Sequence, residues 1–136
     1  MKVGIITIGN ELLSGFTIDR NSAWIGQRLL ESGIKVHVRQ TIQDDFADIY
    51  DTLESMWKDW ECDYVIVTGG LGPTVDDITV STFLEYFDDK HEFDREYWSL
   101  LKERFQKLNF KIPDLNKNQA YKSKKGKMIQ NLVGTA

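Results

Sequence analysis

The sequence predicts an α/β fold of three layers, with a mostly parallel sheet lying between helices. Two patterns predict it: short β-branched runs alternate with helical stripes from Lys2 to Phe87, and each apolar run ends in a turn rich in glycine or acid. Such alternation leads to a parallel sheet, because a right-handed crossover returns the chain to the same end of the sheet each time. Ligand chemistry then collects where the carboxyl ends of the strands meet.

Residues Lys2 to Ile8 read as a buried strand, short and β-branched, closed by Gly9. A helical spacing follows in Ile18, Ser22, Ile25 and Leu29, with Asp19 as its cap and Gly33 where a helix end favours a left-handed residue. Residues Ile34 to Ile42 alternate as a strand with one wetter face. Ile49, Leu53, Met56, Trp57 and Trp60 mark a second helix, and Tyr64 to Val67 a third strand. After a glycine loop, Val80, Phe83, Leu84 and Phe87 form a third helical stripe starting near Asp76. Tyr97, Leu100, Leu101, Phe105 and Leu108 form a fourth, which starts at Asp94 and is broken at Pro113. Leu115 to Tyr121 reads as a short helix, and the closing GKMIQNLVGTA as a strand entry and a turn.

A chain of 136 residues accommodates one domain with a core and is short for two, so residues 1–136 are read as a single domain. Hydrophobic content of 41% with 28% charged residues is that of a globular chain, not a disordered one. No apolar run is long enough to cross a bilayer, and the N-terminal run ends in Asn-Glu and not at a cleavage site. Cys62, the single cysteine, precludes an internal disulfide and fits a reducing, cytoplasmic setting with the thiol in the core. The net charge of −4 is uneven: residues 117–136 hold five lysines and no acid, which leaves 1–116 at −9, twelve basic residues against twenty-one acidic. Only Tyr121 lies among those lysines, so they form a solvated basic face or an arm that screens an anionic ligand, and not a nucleic-acid footprint. His37 and His91 have no metal-ligand spacing.

The chemistry is concentrated in IVTGGLGPTVDD, residues 66–77. Gly69, Gly70 and Gly72 let backbone amides approach an anion, and Thr74 caps the next helix, whose N-terminus favours negative charge. Asp76 and Asp77 would repel a bare phosphate, a conflict that a divalent cation removes by bridging carboxylate and phosphate oxygens. A plainer reading stays open, since Thr74 and Asp77 also have capping-pair spacing. GNELLSG (9–15) leaves the first strand and QDD (43–45) the second, so Glu11, Asp44, Asp45, Asp76 and Asp77 can meet at one end of a parallel sheet. Here too local roles are open: Asp44 or Asp45 can cap the second helix, and Glu11 can serve its own loop.

Taken in order, GNELLSG, the RNS at 20–22, QDD, TGGLGPTVDD, Thr79, NKNQA at 116–120 and NLVGTA resemble the N-terminal domain of the CinA (competence/damage-inducible) family. That domain is similar in fold to the molybdopterin-binding MoaB/MogA proteins. The resemblance spans nearly the whole chain and implies a metal-dependent pyrophosphatase acting on ADP-ribose or a related nucleotide diphosphate, with Mg²⁺, Mn²⁺ or Co²⁺. By position it implies catalytic roles for Asp44 and Asp77 and metal ligation by Asp44, Asp76 and Asp77. Gly9, Asn10, Glu11, Ser14, Asn21, Thr68, Gly69, Gly70, Leu71, Gly72 and Thr74 would bind substrate. Asn118, with Gln119, and the Gly134, Thr135, Ala136 turn match motifs near the pocket.

Two rival readings accompany this one: a molybdopterin-binding protein of molybdenum cofactor biosynthesis, and a non-catalytic binding module. Leu71 stands where molybdopterin binders mostly have Thr, which favours the CinA side, and Arg20 replaces a small polar residue. The chain stops at GTA where the family continues with further strands and a helix, so the resemblance implies a domain lacking its last strand or strands. Nothing of the nicotinamide-nucleotide amidase domain of a full CinA is present. Dimers or trimers are the assemblies such relatives form; a nucleotide or pterin phosphate is the implied small-molecule partner, with no nucleic acid and no membrane.

Overall fold

A computed structural model describes residues 1–70 and 78–129, in two compact units: Met1–Gly70 with Ile78–Thr82, and the described residues from Phe83 onward. The first is built on a three-stranded parallel sheet of β1 (Val3–Ile8), β2 (Val36–Ile42) and β3 (Tyr64–Gly69), ordered β2-β1-β3. β1 is central and buried along its whole length, as its short, largely β-branched run predicts for a strand covered on both faces. Ile8 pairs with Ile42 on one side and Gly69 on the other, so all three strands end level.

Helices cover both faces. A Cβ on Gly4 would lie 2.7 Å from the Met56 sulfur and 3.1 Å from Cys62 Sγ, which puts α3 (Phe46–Lys58) on the Gly4 face. Thr7 points the other way and lies 2.8 Å from the Thr41 hydroxyl. Arg39, on that same face of β2, donates to Ser22 of α2 (Arg20–Glu31) at 3.2 Å. The core of this unit is Val3, Ile5, Ile6, Ile8, Ile49, Leu53, Met56 and Cys62, all buried. Each fully buried aliphatic side chain among them contributes about 1.5–3 kcal/mol relative to exposure.

Local chemistry sets the helix ends. Asp19 caps α2 by accepting from the Ser22 amide at 2.9 Å, and Gly33 ends it at φ +77°, with its amide and that of Ile34 donating to Leu30 and Leu29. Asp45 caps α3, accepting from the amides of Ala47 at 2.9 Å and Asp48 at 3.3 Å. Two features had no periodic signal: α1 (Asn10–Leu13), one turn directly after β1, and the short strands of the second unit. α4 (Ile78–Tyr86) begins in the first unit and ends in the second.

In the second unit β4 (His91–Phe93) pairs antiparallel with β5 (Tyr121–Ser123), and α5 (Arg95–Lys107) lies between them in the chain. Asp94 caps α5 through the Tyr97 amide at 2.9 Å. That bond, then the Lys122 ammonium 3.0 Å away, holds the Asp94 carboxyl below its ordinary pKa. Tyr97, Leu101 and Ala120 form the core, flanked by Phe93, Trp98, Leu100 and Ile112. Residues Asp114–Ala120 form a 3-10 helix where the sequence predicts a short helix from Leu115. Among the described residues Lys122 and Lys125 are paired with acids between Asp88 and Asp94, and Lys117 lies over the Phe93 ring. Among the described residues no helix is long and apolar enough to cross a membrane.

Candidate functional site

Because the three strands end level, the residues that follow them stand side by side. From β1 come Gly9, Asn10 and Glu11. Gly9 donates to the Ile42 carbonyl at 3.1 Å, which ties the turn after β1 to the end of β2. The Asn10 side-chain oxygen accepts from the Asp44 amide at 3.4 Å, and the Glu11 carboxylate folds back over Gly9, where a Cβ would meet it at 2.6 Å. Ser14 turns inward on its own helix, donating to the Glu11 carbonyl at 3.1 Å.

From β2 come Asp44 and Asp45, whose carboxylates diverge in use. Asp45 is committed to the α3 cap, the local role its position allowed, while Asp44, half-buried, accepts at Oδ1 from the Thr79 hydroxyl at 2.9 Å. Among the described residues no hydrogen bond reaches Asp44 Oδ2.

From β3 come Thr68, Gly69 and Gly70. Asn21, in the first turn of α2, donates to the Thr68 hydroxyl at 3.3 Å, so α2 is fastened to the strand end. Gly69 and Gly70 have φ of +94° and +65°, which favours glycine at both. Space demands it as well: a Cβ on Gly69 would overlap the Ile8 carbonyl, and one on Gly70 would overlap the Thr79 hydroxyl. These two glycines therefore let the backbone approach its neighbours more closely than any side chain would permit.

Behind the site a polar network fixes the start of α2. The Asp19 carboxylate receives the Ser22 hydroxyl and amide, and Ser22 in turn receives Arg39. Burial acts to raise the Asp19 pKa, but the bonds from Ser22 and Thr7 and the charge of Arg39 outweigh it, so the carboxyl lies below its ordinary value.

Gly9, Asn10, Glu11, Asp44, Thr68, Gly69, Gly70 and Asn21 thus come together at one end of the sheet, and Thr79, named in the motif series but given no role there, joins them through Asp44. Asn118 lies exposed in the 3-10 helix of the second unit. Leu71, Gly72, Thr74, Asp76, Asp77, Gly134 and Thr135 lie outside the described residues. Among the described residues no three His, Cys, Asp or Glu side chains gather to hold a metal ion.

Residues 4–135 match the family described as "Probable molybdopterin binding domain". The chain is 41% identical to a CinA-like protein of Flavobacterium psychrophilum, all of it aligned to 32% of that protein. It is 35% identical to a putative competence-damage inducible protein of Caldicellulosiruptor saccharolyticus, again over the whole chain and 33% of the relative. It therefore spans about a third of the length of these curated relatives. Among solved structures, a CinA protein of Thermoplasma acidophilum superposes with TM-score 0.79 at 30% identity, covering 99% of this chain and 78% of that one. A molybdopterin biosynthesis enzyme MoaB of Thermus thermophilus superposes with TM-score 0.57 at 23% identity, over 62% of this chain and 53% of that one, a likeness of fold alone. The sheet, the motifs and the matches agree: this chain belongs to the probable molybdopterin binding domain family, in the form carried by CinA-like proteins.

Proposed function

We propose that this chain binds a phosphorylated pterin of the molybdopterin type at the carboxyl ends of β1, β2 and β3. The observation that carries the reading is the joining of Asp44, Asn10, Gly69 and Gly70 at one level sheet end, in a chain whose family is described by molybdopterin binding. Asp44 supplies an acceptor for the amino and ring N–H donors of a pterin, since a carboxylate with one oxygen anchored can present the other. The glycines after β3 supply backbone without side-chain obstruction, which suits a phosphate. The surrounding sheet ends are the place where open α/β folds take ligands.

Divalent metal and hydrolysis of an ADP-ribose-type diphosphate form a second proposal, favoured by Asp44 Oδ2 having no hydrogen bond among the described residues. The described residues alone do not make a metal centre; a cation would draw on Asp76 and Asp77 in addition. A homo-oligomer and a reducing compartment belong to the proposal in the same way, the latter resting on the buried free thiol of Cys62.

A thermal-shift series tests these readings, because a ligand that binds only the folded state stabilises it by about 2.7 kcal/mol at a hundredfold excess over Kd. Molybdopterin at tens of micromolar raises the melting temperature on the pterin reading, and ADP-ribose with Mg²⁺ leaves no AMP. Release of AMP from ADP-ribose in Mg²⁺, Mn²⁺ or Co²⁺, without a molybdopterin shift, replaces it with the hydrolytic reading.

A further inference from the structure

We propose that Thr79 is the positioning residue of the site: its hydroxyl selects the rotamer of the Asp44 carboxylate and so aims Oδ2 at the ligand. The inference rests on the binding reading above for its ligand but on geometry alone for its mechanism. Thr79 is 2% exposed, so its side chain sits in the packed interior at the sheet end. Its single hydroxyl proton is directed at Asp44 Oδ1, 2.9 Å away and 35 residues earlier in sequence.

Thr82 of α4 behaves differently: its hydroxyl turns back on the Ile78 carbonyl at 2.6 Å, the local bond that helical Ser and Thr ordinarily make. Thr79 instead reaches another element. A buried hydroxyl donating to a carboxylate is among the stronger neutral-to-charged bonds, because little water competes for either partner.

Gly70 gives independent support. Its φ of +65° and the overlap that any Cβ would make with Thr79 Oγ1 show that the end of β3 closes directly onto this hydroxyl. Asp44 is held from the opposite side as well, by its amide on the Asn10 side chain, and its neighbour Asp45 anchors the backbone by capping α3. With its backbone fixed from two sides and Oδ1 held by Thr79, the Asp44 side chain has one well-defined orientation. Removing the hydroxyl leaves the backbone in place and frees the carboxylate to rotate.

The test compares the wild-type chain with Thr79→Val, which keeps the shape and loses the hydroxyl, and Thr79→Ser, which keeps the hydroxyl. The first readout needs no ligand: three-bond NMR couplings from Asp44 Cγ to its own amide nitrogen and carbonyl carbon report the χ1 rotamer. They are expected to show one rotamer in the wild-type and Ser chains and averaging in the Val chain. The second is affinity for molybdopterin, expected to fall about ten- to a hundredfold in Thr79→Val, to stay within about threefold in Thr79→Ser, and to fall no further when Thr79→Val is added to Asp44→Ala. Averaged couplings in the wild type, unchanged couplings in Thr79→Val, or losses that add to those of Asp44→Ala overturn the proposal. If the couplings behave as expected while the wild type binds no molybdopterin, the ligand reading fails and the positioning role stands.

Discussion

Asp44 and Asp45 stand next to each other after β2, yet Asp45 caps a helix while Asp44 bonds Thr79. Their substitutions should therefore separate. Asp45→Ala removes an N-cap and is expected to cost about 1 kcal/mol in urea unfolding while ligand affinity changes little. Asp44→Ala is expected to lower molybdopterin affinity at least tenfold with a smaller change in stability. The glycines give a second pair of outcomes. Gly33 has φ +77° with open space around it, so Gly33→Ala meets backbone strain alone, about 1–2 kcal/mol. Gly69→Ala adds to comparable strain an overlap with the Ile8 main chain, which cannot swing aside, and is expected to lose clearly more in the same measurement. Asp19 supplies a pH dependence. Its carboxyl is held below the ordinary value in the folded chain, so the unfolded chain takes up the proton first as pH falls. The stabilisation is full above the unfolded pKa of about 3.9 and is lost as pH falls through the lower, folded one. Asp19→Asn, which keeps a capping oxygen, is expected to flatten the acid limb of stability against pH; an unchanged limb would contradict this.

At the scale of elements, how much the sequence disclosed depended on how far each signal extends along the chain. The central strand was legible because every residue from Val3 to Ile8 is buried, and a strand covered on both faces reads as a nearly continuous apolar run. α3 was legible because Ile49, Leu53 and Met56 repeat at helical spacing, and all three are buried against the sheet. Leu53→Ala should accordingly cost about 2–5 kcal/mol, the range for a buried Leu truncated in a close-packed core, and chemical denaturation measures it. α1 escaped because four residues do not complete a hydrophobic period, and β4 and β5 because three-residue strands separated by α5 carry neither alternation nor a hairpin turn between them. The Asp44–Thr79 bond escaped for another reason: it joins two elements 35 residues apart, and neither side chain's local pattern points to the other.

For the whole molecule, the acids and glycines after the first and second strands, and those directly after the third, were legible as neighbours because a parallel sheet must deliver them to one end. Of these acids, Asp45 is drawn off into a helix cap, the local role its position allowed, while Asp44 bonds Thr79. Family membership is the ground on which a pterin ligand is proposed for these strand ends. The central claim is that the level strand ends form the ligand site, and amide NMR mapping on addition of molybdopterin tests it most directly. Saturable shifts concentrated at Gly9, Asn10, Asp44, Gly69, Gly70 and Thr79 are the predicted result. Shifts centred instead on the opposite end of the sheet, around Lys2, Cys62 and Tyr64, or none at all, would contradict it.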